Sequence, residues 1–494
     1  MNTLTIVWLA LPIIIGLSIY LFPRLDRYLA LGVAIASVGY AIQVFLMPEP
    51  LSLHLIDRFG VILQADVLSA YLILTNALIT AAVVIYCWQQ GYTAFFYTQT
   101  IILHGSVNSV FLCADLISLY VALEVVGVIV FLLLAYPRSD RAIWTGLRYL
   151  FISNTAMLFY LVGTILVYQA SNGFAFTGLR QASPEAIALI CLGLLTKGGV
   201  FVSGLWLPRT NAEAEAPVAA LMSGAVENAG VFPLLRFVSM MDDLDPIIRA
   251  IGVGAALLGV TYALAEQDTK RMLACSTLSQ LGWLLAAPAV AGLYALAHSL
   301  VKSTLFLLVD QLPSRDIATL RQTVVSVPLR IPLTLSSLSI SGAPLLAGFG
   351  AKTLTLTHLL PWQTTAMDIA AVGTAAIYAR FIFLPVGKDP QTQPASPHPI
   401  RIGVWLATGL LLSGIIAANW VYRDAYQWHS ITKALVVIAI GWLVHGLLTQ
   451  WPMPWKQFKL PPQAENLEHL IGGMSLVLIT LLWVMASWVV VPGM

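Results

Sequence analysis

The chain is 494 residues long, 59% hydrophobic and only 10% charged, with a formal net charge of +2 and a mean hydropathy of +0.85. A soluble domain carries about 25% charged residues, so the composition specifies an all-α, polytopic membrane protein lying in a lipid bilayer, and a near-neutral balance with no long basic tail leaves nucleic acid without a footing. The four cysteines (Cys87, Cys113, Cys191, Cys275) form no CxxC pair, and GxGxxG, P-loop and CxxCH motifs are absent. No metal or cofactor is expected on this chain, and any redox centres would sit on partner subunits.

A span needs about 20 mostly apolar residues. In chain order that rule places spans near 3–22, 28–47, 66–88, 96–113, 115–136, 142–169, 184–206, 216–240, 246–265, 273–288, 290–311, 330–357, 364–386, 401–420, 432–450 and 470–491, sixteen in all. The first, MNTLTIVWLALPIIIGLSIYLF, lacks a basic leader and is too long an apolar run for a cleaved signal. The stretch LSLHLIDRFGVILQA (51–65) is too polar to span and reads as a short hairpin on the outer surface. Loops after odd-numbered spans carry Arg24, Arg27, Arg138, Arg141, Arg209, Lys270, Arg271, Arg315, Arg321, Arg330, Lys388, Lys456 and Lys459. Loops after even-numbered spans are poorer in Lys and Arg, and one holds Asp242, Asp243 and Asp245. Positive charge marks the cytoplasmic side, which puts the N-terminus on the outer or lumenal face of a bacterial plasma membrane or a thylakoid-type membrane. Trp451, Trp455, Trp483 and Trp488 read as interfacial anchors.

Two spans are broken by their own residues. The seventh has Gly198 and Gly199 directly after Lys197, and the twelfth has SGAP (341–344) before LLAGFGAK (345–352). Backbone groups freed by such breaks survive in a bilayer only where protein or water covers them. Two broken spans five apart are the mark of inverted repeats with a working site at the breaks. The resulting division is 1–95 (N-terminal helices and hairpin), 96–240 (first repeat), 246–386 (second repeat) and 401–494 (C-terminal helices).

Deep in the spans lie Glu124, Lys197, Glu227, His298, Lys302 and Lys352. A lysine at the centre of a span costs about 2.5–3.5 kcal/mol on insertion scales, and at 1.5 Å per residue Lys197 lies some ~15 Å from either end of its span, too far to reach water by extending. Acids and bases at one depth suit a lateral proton path, whereas a single buried pair could simply fix helix register. Asp115, Glu266 and Asp310 fall at span ends and read as interfacial, and His104 reads as a satisfied polar group. Arg148 and Arg380 are left open between these roles.

The segments ALEVVGVIVFLLLAY (122–136), LLTKGGVFVSGLWLP (194–208), EAPVAALMSGAVENAGVFPLLR (215–236), EQDTKRMLACSTLSQLG (266–282) and HSLVKSTLF (298–306) resemble the proton-translocating, antiporter-like subunits of respiratory complex I, its photosynthetic relatives and Mrp-type sodium/proton antiporters. The resemblance runs from about 66 to 386, and the spacing from Trp206-Leu207-Pro208 to Ala216-Pro217 is more like the Mrp D-type subunit. It implies a fourteen-helix core, here with about two further C-terminal helices. It also implies a glutamate–lysine pair at Glu124 and Lys197, a relay through His298 and Lys302, and an outlet at Lys352. One position departs: where the family usually carries a lysine this chain has Asn228, preceded by Glu227, which is expected to stand in for it. The function implied is a proton-translocating subunit of a multisubunit membrane complex, with protons and sodium as the exchanged ions. The alternatives are a proton-pumping membrane subunit of a complex I-like NAD(P)H- or ferredoxin-quinone oxidoreductase, or a non-pumping assembly scaffold.

Overall fold

With no water in the bilayer core, an apolar chain satisfies its backbone by closing hydrogen bonds within helices. In the computed structural model, which describes residues 2–56, 60–385, 400–450 and 466–489, nearly every span takes that form. The first part comprises α1 (Asn2–Leu21), α2 (Asp26–Phe45), the strands β1 (Leu51–Ile56) and β2 (Gly60–Ala65), α3 (Val67–Cys87), α4 (Ala94–Leu112), α5 (Leu116–Leu134) and α6 (Asp140–Ser171). Next come α7 (Pro184–Lys197), α8 (Leu207–Glu213), α9 (Ala216–Leu221) and α10 (Glu227–Val238), then α11 (Asp245–Ala265), α12 (Thr269–Ala286), α13 (Ala291–Val309) and α14 (Ile317–Leu320). The chain continues as α15 (Val327–Ser341), α16 (Ala347–Thr357), α17 (Pro361–Ile382), α18 (Ile402–Asn419), α19 (Trp428–Gln450) and α20 (Leu467–Val489). Lys388, Lys456, Lys459, Trp451 and Trp455, and the chain ends of the thirteenth and last expected spans, lie outside the described residues.

Thirteen segments among the described residues are long and apolar enough to cross a membrane. The other three expected spans are explained by their residues. α4 carries Thr98, Gln99, His104 and Asn108, α12 carries Ser276, Thr277, Ser279 and Gln280, and the twelfth span is cut into α15 and α16. Helix starts are fixed locally by side chains that accept a free backbone N–H: Asp66 from Ser69, Asp115 from Ser118, Ser139 from Ala142, Ser183 from Ala186 and Asp268 from Arg271.

The hairpin at 51–65 pairs antiparallel in the register Leu51 with Ala65 and Leu53 with Leu63. It is clamped to the bundle by Asp115, whose Oδ2 accepts from the Ile62 amide at 2.8 Å. Asp115 therefore stands at a span end, as the sequence suggests, but it is fully buried rather than wet. Glu266 holds Arg271 at 3.1 Å and Asp310 holds Lys270 at 3.4 Å, both at helix ends.

Lipid is as apolar as leucine, so helices associate through close packing of small residues. A β-carbon on Gly282 would lie 2.4 Å from the Gly252 carbonyl oxygen, and one on Gly259 would lie 2.4 Å from the Ser279 nitrogen, so α11 and α12 approach backbone to backbone. The lipid-facing surface is apolar along α1 (Ile13, Ile14, Leu17), α6 (Phe151, Leu158, Val162) and α19 (Leu435, Val436, Leu443). The innermost elements are α9–α10, α12 and α13, buried throughout except at Arg236, Arg271 and Leu293. Of the C-terminal helices, α18 packs on α3 and α13, α19 on α17, and α20 on α7 in the other half of the molecule. All four cysteines are buried.

Candidate functional site

Lys197 is the last residue of α7. Beyond it Gly199 takes φ +69° and Phe201 φ +54°, a left-handed turn that a helix cannot continue. The lysine thus sits where the terminal carbonyls of a helix favour a cation. A β-carbon on Gly230 would lie 2.3 Å from the Gly198 nitrogen, so α10 crosses directly against the break and only glycine fits there.

The Lys197 ammonium donates to Ser153 Oγ at 2.5 Å and lies 5.9 Å from the Tyr149 ring. Gly127 of α5 leaves the room for it, since a β-carbon there would be 2.8 Å from Nζ. Glu124, three residues before Gly127 and so on the same helix face, is half-buried, with one carboxylate oxygen buried and without a protein partner. It is within electrostatic reach of Lys197, but the ammonium's hydrogen bond goes to Ser153. The pair implied by resemblance is open in this structure.

Met222–Val226 form a single π turn, and Glu227 opens α10 directly after it. Such bulges re-aim the residues that follow and recur at functional sites. Glu227 is fully buried; its Oε1 accepts from Asn211 Nδ2 at 3.0 Å, and its Oε2 has no protein partner. Successive helical residues differ by about 100°, and Asn228 accordingly points elsewhere, donating to Ser299 Oγ at 2.8 Å and to the Gly224 carbonyl at 2.9 Å. Glu227 feels the charge of Lys302.

On α13, Lys302 donates to the Leu273 carbonyl and to the Tyr378 hydroxyl, both at 2.8 Å, and Tyr378 is 3.0 Å from Ser276 Oγ. His298, one turn earlier, serves a different neighbour. Both its ring nitrogens are buried without a protein partner, and it lines a small cavity with Gln280, Tyr294, Gly348 and Lys352. That cavity offers about 10 Å³ to the centre of a water molecule, about what one water requires.

Lys352 lies on α16, after the break at Gly342 (φ +91°) and Leu345 (φ +72°). A β-carbon on Gly348 would be 1.8 Å from the Ser339 carbonyl oxygen, so α16 folds back hard against the end of α15. The Lys352 ammonium has no hydrogen-bond partner and lies 5.3 Å from the Trp283 ring. On its far side it lines a second cavity, of about 230 Å³ on the same measure, with Ser341, Thr353, Asp368, His429 and Lys433. Lys352 is thus the wall shared by a one-water chamber and a wide one.

Buried polar atoms without protein partners are few in a native fold and call for water or an exchangeable proton. Among the described residues such atoms occur on Glu124, Glu227, His298 and Lys352, four of the six groups singled out by their depth, and also on neutral polar side chains such as Asn228, Gln280 and Ser336. His104 falls outside the row: its ring nitrogens lie 2.8 Å from Ser37 Oγ, 3.0 Å from Thr80 Oγ1 and 3.0 Å from Asn108 Nδ2, a satisfied group. Arg380 donates to the carbonyls of Glu266 and Leu264 and ties helix ends together. Sequence reasoning missed Ser153, Asn211, Gln280, Asp368 and Lys433. The available signal for Asp368 was an acid inside an expected span. No group of three or more His, Cys, Asp or Glu able to hold a metal occurs among the described residues.

Comparison with known proteins identifies the family and the fold. A family profile described as NADH:quinone oxidoreductase/Mrp antiporter, TM, matches residues 113–377. The chain is 24% identical over 440 residues to the D-type subunit of the Na(+)/H(+) antiporter of Alkalihalophilus pseudofirmus, covering 80% of this chain and 89% of that protein. It is 26% identical over 451 residues to the N-type subunit of the NADH-quinone oxidoreductase of Desulforudis audaxviator, covering 81% and 86%. A chain in the Mrp complex of Dietzia sp. superposes with a TM-score of 0.76 at 21% identity, over 97% of this chain and 59% of that one.

Proposed function

The chain belongs to the NADH:quinone oxidoreductase/Mrp antiporter transmembrane family, and from that premise we propose that it carries protons within a multisubunit membrane complex, in exchange for a cation such as sodium. The antiporter-like fold and membrane-subunit character follow from family membership. The direction, the exchanged ion and the individual residue roles are our reading.

The observation that supports it is the set of titratable groups inside the bundle, with Glu124, Glu227, His298 and Lys352 each keeping a buried atom without a protein partner and Lys352 lining both a water-sized chamber and a wide cavity. Lys197 would be the proton-carrying switch. It is held by Ser153 when Glu124 is away and would be drawn off when Glu124 approaches; Gly127 keeps the space in which the ammonium moves. Glu227 would pass the proton toward Lys302 and His298 in place of the family lysine, and Lys352 would release it. The halves 96–240 and 246–386, each with a lysine at a broken helix, would act as inverted repeats around this row, with the N-terminus on the outer face.

A second reading, a pumping subunit of a quinone-reducing complex, is favoured by the likeness to an N-type subunit over 81% of the chain. Purification of the native complex decides between them. An antiporter complex shows no flavin or iron–sulfur absorbance and exchanges protons for sodium in proteoliposomes. Stoichiometric flavin and iron–sulfur clusters in the purified complex would replace antiport with redox-driven pumping, and assembled complex that moves no protons in either assay would leave the scaffold role.

A further inference from the structure

The row does not end at Lys352. The wide cavity beyond it is crossed by Asp368 of α17 and Lys433 of α19, whose carboxylate and ammonium groups meet at 2.8 Å with both side chains about one-third exposed (29% and 33%). One carboxylate oxygen is engaged by Lys433, while Asp368 Oδ1 is buried without a partner. Lys352 Nζ, lining the same cavity, has none either.

α16 ends at Thr357 and α17 begins at Pro361, so Lys352 and Asp368 approach the same end of the bundle, and the ion pair brings the start of α19 there too. In chain terms Lys352 lies five residues from its helix end and Asp368 seven from its helix start. The cavity between them is lined also by the hydroxyls of Ser341, Thr353 and Thr364, groups that can hold water chains but bind no proton of their own at ordinary pH.

We propose that Asp368 is the terminal proton acceptor of the path and that Lys433 is its counterion. The Lys352 ammonium passes a proton through water in the cavity to the free carboxylate oxygen of Asp368. Lys352 becomes a neutral amine and Asp368 a neutral acid, whose hold on Lys433 weakens. The acid then gives its proton to outside water, and the pair re-forms. Proton number and charge balance at each transfer. The packing of α19 on α17 acquires a purpose beyond attachment, since it supplies the positive charge that returns Asp368 to its acceptor form.

This inference rests on the outlet role of Lys352, and the test separates the two. Asp368→Asn, Asp368→Glu, Lys433→Met and Lys352→Met are made singly in the whole complex, assembly is checked by co-purification, and proton flux is followed in proteoliposomes. The expected pattern is a loss of at least about tenfold for Asp368→Asn, toward the ~10²–10⁴-fold that a positioned proton-transfer group contributes, a smaller loss of about three- to fivefold for Lys433→Met, and flux within about threefold of the parent for Asp368→Glu. Equal losses in Asp368→Asn and Lys433→Met would assign the pair to holding α19 in place and overturn the relay. Full flux in Asp368→Asn with flux lost in Lys352→Met would also overturn it and leave Lys352 as the last group. Flux lost in Asp368→Asn but kept in Lys352→Met would retain Asp368 and remove Lys352 from the path.

Discussion

The two broken helices carry the same device, a lysine beside a glycine-rich break, and use it under opposite conditions. Lys197 is enclosed: Ser153 Oγ accepts a hydrogen bond from its ammonium, the Tyr149 ring lies beside it, and the missing side chain of Gly127 leaves the ammonium its room. Lys352 is unclaimed, with no hydrogen-bond acceptor, a one-water chamber on one side and a wide cavity on the other. A charge in a tight polar socket has few alternative positions and moves only when a competing charge arrives. A charge facing water on one side exchanges its proton readily. The difference suggests a switch at one end and an outlet at the other, built from one motif by what surrounds it.

The sharpest break in this comparison comes at the outlet. Lys352→Met keeps length and removes the charge, and proton flux in the reconstituted complex should fall at least about tenfold with assembly intact. Unchanged flux would remove Lys352 from the path.

The centre of the row comes next. Glu227→Gln keeps an oxygen for Asn211 but carries no exchangeable charge, so flux should fall about five- to tenfold. Glu227→Val combined with Asn228→Lys should recover most of it, because position 228 already faces Ser299, the neighbour of His298. Full activity in Glu227→Gln would show that protons bypass the carboxylate.

The socket at the other end should respond more mildly. In Gly127→Ala the new methyl would press on the far end of a flexible side chain, at 2.8 Å from Lys197 Nζ and 3.1 Å from Ser153 Oγ. The ammonium should shift and flux should drop about threefold, while thermal stability changes by no more than about 1 kcal/mol. Ser153→Ala removes a hydrogen bond to a charged group, worth about 1.5–3 kcal/mol when made, but water or Glu124 can replace it, so the expected change in flux is within about twofold. A larger loss in Ser153→Ala than in Gly127→Ala would make the hydroxyl, rather than the free volume, the controlling feature.

Much of this candidate site was legible in the sequence because charge inside an apolar run has few innocent explanations, and Lys197, Glu227, Lys302 and Lys352 are all buried. Most of the spans were legible for the same reason, from run length and loop charge. What stayed hidden was contact. Ser153 and Asn211 look like any short polar residue on a helix, many of which merely bond back to their own turn, as Ser171 does to the Val167 carbonyl at 2.9 Å. The π turn at Met222–Val226 has no composition signal, yet it sets where Glu227 points. Asp368 and Lys433 lie far apart in sequence and meet only because α19 packs on α17, which no periodicity announces. The open state of Glu124 and Lys197 is likewise a matter of side-chain position that residue types alone do not fix.

The central claim is that Lys197 carries protons and does more than set helix register, and Lys197→Arg tests it most directly. Arginine retains the positive charge and the capacity to bond Ser153 or pair with Glu124, but it does not release a proton in proteins. In complexes assembled at the parent level, proton flux through Lys197→Arg should fall to the background of empty vesicles. Flux near that of the parent would contradict the claim and reduce Lys197 to a structural cation.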